Sequence, residues 1–167
     1  MSEIDLGPVK VALAAMPTGE GSRVDQSASP DFRHYTNAED KALAGLVRPA
    51  YMPNGLEFFD AALIRSPIEM VITTYYDEKT GRSLTLAETP LEQLKETPGG
   101  KRTVFAPGQS LYEVRVGVLD GARVVISEEP DWRGARTSLV WLKGGSVFQL
   151  TGRGIGDDEV GEIAASV

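Results

Sequence analysis

The chain has 167 residues, 41% of them hydrophobic, a size at which one globular domain buries roughly 70% of its extended surface. Its formal net charge of −7 repels a phosphate backbone over most of the surface, which argues against nucleic acid as a partner. With no cysteine it has no disulfide, thiolate metal site or cysteine nucleophile, and its longest apolar run, residues 11–16, is far below the roughly 18 residues of a spanning helix.

At the start, Val9, Val11 and Leu13 alternate and predict a short strand over residues 8–16. Glu3 and Asp5 stand where a signal peptide carries positive charge, so Ala12-Leu13-Ala14-Ala15 does not read as a cleavage region. Residues 17–30 hold Gly19, Gly21, Ser22, Ser27 and Ser29 and almost nothing apolar, the composition of a flexible connection. Residues 1–30 are therefore expected as a loosely attached N-terminal segment and residues 31–167 as a single domain. Over residues 36–47 a helix is predicted: Thr36 or Asn37 is its N-cap, Glu39 and Asp40 lie in its first turn, and Leu43, Leu46 and Val47 share a face. Pro49 ends it.

Residues 49–55 form a turn-rich connector in which Asn54-Gly55 is the strongest signal. A strand follows from Leu56, breaks at Ser66-Pro67 and resumes over residues 68–76, which are rich in β-formers. Residues 77–81 supply a turn, and residues 82–88 return with Leu84 and Leu86 on one face, completing a hairpin. Residues 89–107 contain Pro90, Pro98, Gly99, Gly100 and Pro107 and read as a long surface loop with one helical turn at 91–94. Residues 111–119 and 122–127 predict another hairpin across Asp120-Gly121, a preferred dipeptide for a type I′ turn. A strict two-residue loop there sets Val118 opposite Arg123, so a wider loop or a bulge is the alternative. Residues 128–136 read as a link to the next element.

The clearest hairpin lies at residues 137–151, where two β-branched and aromatic runs flank Gly144-Gly145. Its register places Leu142 opposite Val147, Trp141 opposite Phe148, Val140 opposite Gln149 and Leu139 opposite Leu150. Leu139, Trp141, Phe148 and Leu150 then form one apolar strip. Residues 157–167 close the chain with a helix whose Val160, Ile163, Ala164 and Val167 share a face and whose Asp157 serves as cap. Being about three turns long, it must dock on a sheet to be stable, and the Trp141 strip is the expected site. The expected class is α+β: an antiparallel sheet built from successive hairpins with helices packed on one face.

Tyr51, Pro53 and Gly55, the tyrosine pair Tyr75 and Tyr76, Leu139, Trp141, Gly144 and Gly145, and the closing Glu162, Ile163, Ala164 and Ser166 together carry a resemblance. Over residues 44–167 the chain resembles a bacterial domain-of-unknown-function family found as the extracytoplasmic C-terminal part of membrane-anchored, anti-sigma-factor-like proteins. The resemblance implies a regulatory, extracytoplasmic setting and brings no catalytic residue. The order of hairpins and terminal helix is also similar to the sheet-and-helix sandwich of PsbP-like proteins, which implies a binding or assembly module.

Few residues point to chemistry. His34, the single histidine, has Asp31 and Asp40 nearby in sequence, but no serine sits in a Gly-x-Ser-x-Gly elbow. Neither Asp157-Asp158-Glu159 nor Glu128-Glu129-Pro130-Asp131 has the alternating spacing of a calcium loop, so no metal and no cofactor is expected. Gly152-Arg153-Gly154-Ile155-Gly156 enters the last helix, yet the acidic residues behind it would repel a phosphate. Trp132 is either a lid over the core or an exposed contact residue. If exposed, it forms a candidate contact surface with Arg133, Tyr112 and Tyr51. The expectation is a non-catalytic binding or sensing domain that meets a protein or small ligand through its sheet or residues 128–136. The alternatives are a small-molecule or lipid carrier with a cavity between sheet and C-terminal helix, lined by Trp141, Phe148, Tyr75 and Tyr76, and a hydrolase using paired carboxylates.

Overall fold

In a computed structural model of the chain, the residues described are 2–14, 31–66, 69–94, 102–107, 113–131 and 134–167. Eleven strands are present among them: β1 (Ser2–Asp5), β2 (Val9–Ala14), β3 (Asp31–Tyr35), β4 (Glu57–Ser66), β5 (Met70–Tyr76), β6 (Ser83–Pro90), β7 (Arg102–Pro107), β8 (Glu113–Leu119), β9 (Ala122–Asp131), β10 (Gly134–Lys143) and β11 (Ser146–Arg153). One α-helix, α1 (Asp157–Ala165), follows them. Strands dominate the described residues and a single α-helix accompanies them, and this overturns the α+β expectation: the protein is mostly β.

The Gly144-Gly145 hairpin forms in the expected register, with Leu142 opposite Val147 and Trp141 opposite Phe148. Gly144 at φ 59° and Gly145 at φ 80° supply the left-handed pair a type I′ turn needs. Asp120 at φ 48° and Gly121 at φ 80° do the same between β8 and β9. That loop is the strict two-residue one, with Val118 opposite Arg123. Such a pairing is tolerated because β8 is the sheet edge, where Val118 stays exposed. Residues 128–131 and 134–136 do not form a link but extend the two strands, since Glu128 pairs with Thr137 and Asp131 with Gly134.

Eight of the strands join one antiparallel sheet in the order β3-β4-β5-β6-β11-β10-β9-β8. Two four-strand meanders thus meet where β6 pairs with β11. A second sheet, β1-β2-β7, contains a parallel pair, Val9 to Ala14 alongside Arg102 to Pro107. Residues 102–107 are therefore a strand and not part of a surface loop. Their hydrogen-bond partner, β2, lies near the start of the chain, beyond the reach of turn or periodicity signals.

The expected helix over residues 36–47 is reduced to a single 3-10 turn at Lys41–Leu43. Asn37 Oδ1 accepts from the Glu39 amide at 3.0 Å and Asp40 Oδ1 from the Ala42 amide at 3.0 Å. Side chains that satisfy the backbone in this way compete with continuous helix.

Layering follows from which faces are apolar. On the inner face of the large sheet, Leu84, Leu86, Leu139, Trp141, Phe148 and Leu150 pack against Val160, Ile163 and Ala164 of α1. On the outer face, Val125, Val140 and Val147 pack against Val9 and Val11 of β2, both fully buried. The molecule is thus a stack of three layers: helix, large sheet, small sheet. Residues 15–30, which include the whole of the expected flexible connection, lie outside the described residues.

Candidate functional site

Among the described residues, the small sheet packs on the outer face over β9, β10 and β11. One cross-strand row shows the change along the sheet: Val125, Val140, Gln149, Ala87, Ile72, Ala62 and His34 are successive neighbours. Val125 and Val140 lie under β2, whereas Ala62 and Ile72 belong to the open half. Cross-strand partners share a face, so Phe32, Ile64 and Met70 form a parallel row on this same outer side. A bulge between Phe58 and Asp60 brings Phe59 against Tyr76, edge to face with ring centres 5.9 Å apart. Phe32 is 53% exposed, Phe59 57% and Tyr76 37%, so three aromatic rings meet solvent on one sheet face.

Between these two aromatic ends, His34 Nε2 lies 2.7 Å from Asp60 Oδ2. The histidine's partner is thus neither Asp31 nor Asp40 but a carboxylate on the neighbouring strand. The pair is exposed and clips β3 to β4, and its cross-strand neighbours are alanine and threonine.

On the inner face a cavity of about 230 Å³ lies between residues 42–47 and the sheet. Ala42, Leu43, Gly45, Leu46 and Val47 line one side, and Leu63, Val71 and Glu88 the other. Glu88 stands in a row with Val71 and Phe148, a carboxylate among core-facing apolar side chains. Ser146 Oγ donates to its Oε1 at 3.2 Å and is its sole hydrogen-bond partner among the described residues. Sequence reasoning missed this residue, although the alternation Leu84, Leu86, Glu88 places it on the core side.

Of the residues expected to make contacts, Trp132, Arg133 and Tyr112 lie outside the described residues. Tyr51 is 40% exposed. Its amide donates to Ser166 Oγ at 3.0 Å and its hydroxyl to Glu159 at 3.5 Å, which ties the 49–55 connector to α1. Loss of hydration, then the charges of Glu159 and Glu162, raise its phenol above the ordinary value.

Trp141 and Phe148 stack at 5.6 Å and are buried with Tyr75 against α1, so packed side chains fill the space between sheet and helix. Tyr76 faces the other way, onto the open side. The Tyr75 hydroxyl is buried with no hydrogen-bond partner among the described residues, and burial raises its pKa.

The two acidic clusters do meet, through one member of each. Arg115 Nη1 donates to Glu128 at 2.6 Å and Nη2 to Asp157 at 3.5 Å, joining β8, β9 and the start of α1. Beside Glu128, at the helix-start amide and within reach of Arg115, the Asp157 carboxyl is held below its usual range, the opposite of what a catalytic acid needs. Among the described residues no group of three or more His, Cys, Asp or Glu side chains could hold a metal ion.

Of the glycines before α1, Gly152 serves packing. A Cβ on Gly152 would lie 2.8 Å from Val160 Cγ2, so its bare backbone lets the helix approach the sheet. No helix among the described residues is long and apolar enough to cross a membrane. No protein family, curated protein or solved structure matches the chain.

Proposed function

We propose that the protein is a non-catalytic binding domain that engages a protein partner through the open outer face of β3 to β6. The observation that carries this reading is the exposure of Phe32, Phe59 and Tyr76 on one face of a sheet whose other half is covered. Exposed aromatic rings grouped on a rigid surface are the usual material of interface hot spots, and a water-facing apolar patch costs free energy unless it is used. From Met70 to Tyr76 the face runs about 20 Å, and its four strands span about 15 Å. That footprint is below the roughly 800 Å² per partner of a standard interface, which favours a transient contact suited to sensing.

The test is a photo-crosslinking residue placed at Phe59 or Tyr76, with Glu162 on the far side of the molecule as control, in cells of the source organism. A discrete adduct to another protein is expected from the two face positions and not from Glu162, and it should vanish when Phe32→Ser is added. No adduct, or the same adducts from all three positions, overturns the reading. An adduct only to a second copy of the chain replaces it with self-association.

A further inference from the structure

We propose that the cavity between residues 42–47 and strands β4 to β6 is a binding site for a small organic cation, an ammonium group on a compact apolar body, with Glu88 as its counter-charge. This site lies on the opposite face of the sheet from the proposed protein contact and does not depend on it.

Three observations lead there. The lining is apolar except for Glu88: Leu43, Leu46, Val47, Leu63 and Val71 give a ligand body contact on both sides. The carboxylate has one neutral hydroxyl donor and no cation among its described partners, although it is only partly exposed and sits beside Val71 and Phe148. A bound ammonium would give this carboxylate an opposite charge and further, charge-assisted hydrogen bonds. Finally, the protein's net charge of −7 draws cations toward its surface and repels anions.

Size narrows the class further. A volume of about 230 Å³ is below the roughly 300–1,000 Å³ of sites for drug-sized molecules, so the body is a single ring or a short branched chain. The cavity floor is rigid sheet. Its roof is the 3-10 turn and its flanks, held by the Asn37 and Asp40 side-chain bonds and by Arg48 Nη2 donating to the Ala38 carbonyl at 2.7 Å. Both walls are thus formed before a ligand arrives, which limits the ordering cost of binding.

The test uses three probes with one body and different charge: cyclohexylamine, cyclohexanol and cyclohexanecarboxylate, titrated into the full chain at pH 7 while methyl NMR signals of Leu63 and Val71 are followed. Cyclohexylammonium should shift these signals at the lowest concentration, cyclohexanol at roughly tenfold higher, and the carboxylate not at all. Glu88→Gln should weaken the ammonium about tenfold and leave cyclohexanol unchanged. Val71→Phe, which fills the cavity, should abolish both. Equal binding of ammonium and alcohol, preference for the carboxylate, or shifts that survive Val71→Phe would each overturn the assignment. Should Glu88→Gln fail to fold, the charge series on the unaltered chain and the Val71→Phe variant still decide it.

Discussion

Single atoms decide two features of this fold. Tyr75 offers its ring to the core, edge to face with Phe58 at 6.3 Å, but buries a hydroxyl that finds no partner among the described residues. An unsatisfied buried hydroxyl costs about 1–3 kcal/mol, so Tyr75→Phe should raise unfolding stability by about 1 kcal/mol in urea melts. A drop would show that the hydroxyl is satisfied after all. Gly152 is the reverse case, a position where the absence of a side chain is required. The room above its Cα ends at Val160 Cγ2, and Gly152→Ala should lower stability by about 1–3 kcal/mol through overpacking between β11 and α1. A neutral effect would mean that the helix moves away without cost. The sequence shows a glycine there and nothing about what approaches it, so from sequence alone it reads as part of a flexible strand-to-helix connection.

At the level of elements, the turns are the best-determined parts, because their chemistry is local. Asp77 begins the turn between β5 and β6 and accepts from the amides of Lys79 at 2.9 Å and Thr80 at 3.3 Å and from Arg82 at 3.0 Å. Arg82 also donates to the Asn54 carbonyl at 2.8 Å, which fastens this turn to the one before β4. The bond from Arg82, then that from Thr80, bring the Asp77 carboxyl down to about 2. Its folded pKa is depressed, so its stabilisation is present above the unfolded value near 3.9 and is lost as pH falls through about 2. Urea melts at pH 7, 4 and 2.5 should show the unaltered chain losing more stability on acidification than Asp77→Asn. Parallel losses would mean that the turn carboxylate is not linked to acid unfolding. The same locality explains which elements are legible in the sequence. Gly144-Gly145 and Asp120-Gly121 announce their hairpins, and Val160, Ile163 and Ala164 announce the buried stripe of α1. The helix over residues 36–47 fails because Asn37 and Asp40 bond to nearby amides, a competition that helix periodicity does not register.

For the whole molecule, the decisive feature is unequal covering of one sheet. The inner face is covered by α1 on one half and by residues 42–47 on the other, with the Glu88 cavity under the latter. The outer face has the small sheet over β9 to β11 and open aromatic residues over β3 to β5. Nothing local in the sequence announces this arrangement. The hairpins give strands and registers, but the choice of β11 as partner for β6, and of β7 for β2, depends on long-range packing. The open face is hidden for the same reason: Phe32, Phe59 and Tyr76 sit far apart in sequence, and only strand order collects them. A soluble paramagnetic probe tests this uneven covering most directly through proton relaxation of side chains on the two halves. Strong relaxation is expected for the rings of Phe32, Phe59 and Tyr76, with protection of the Val125, Val140 and Val147 methyls; protected aromatic rings, or valines relaxed as strongly, would contradict it.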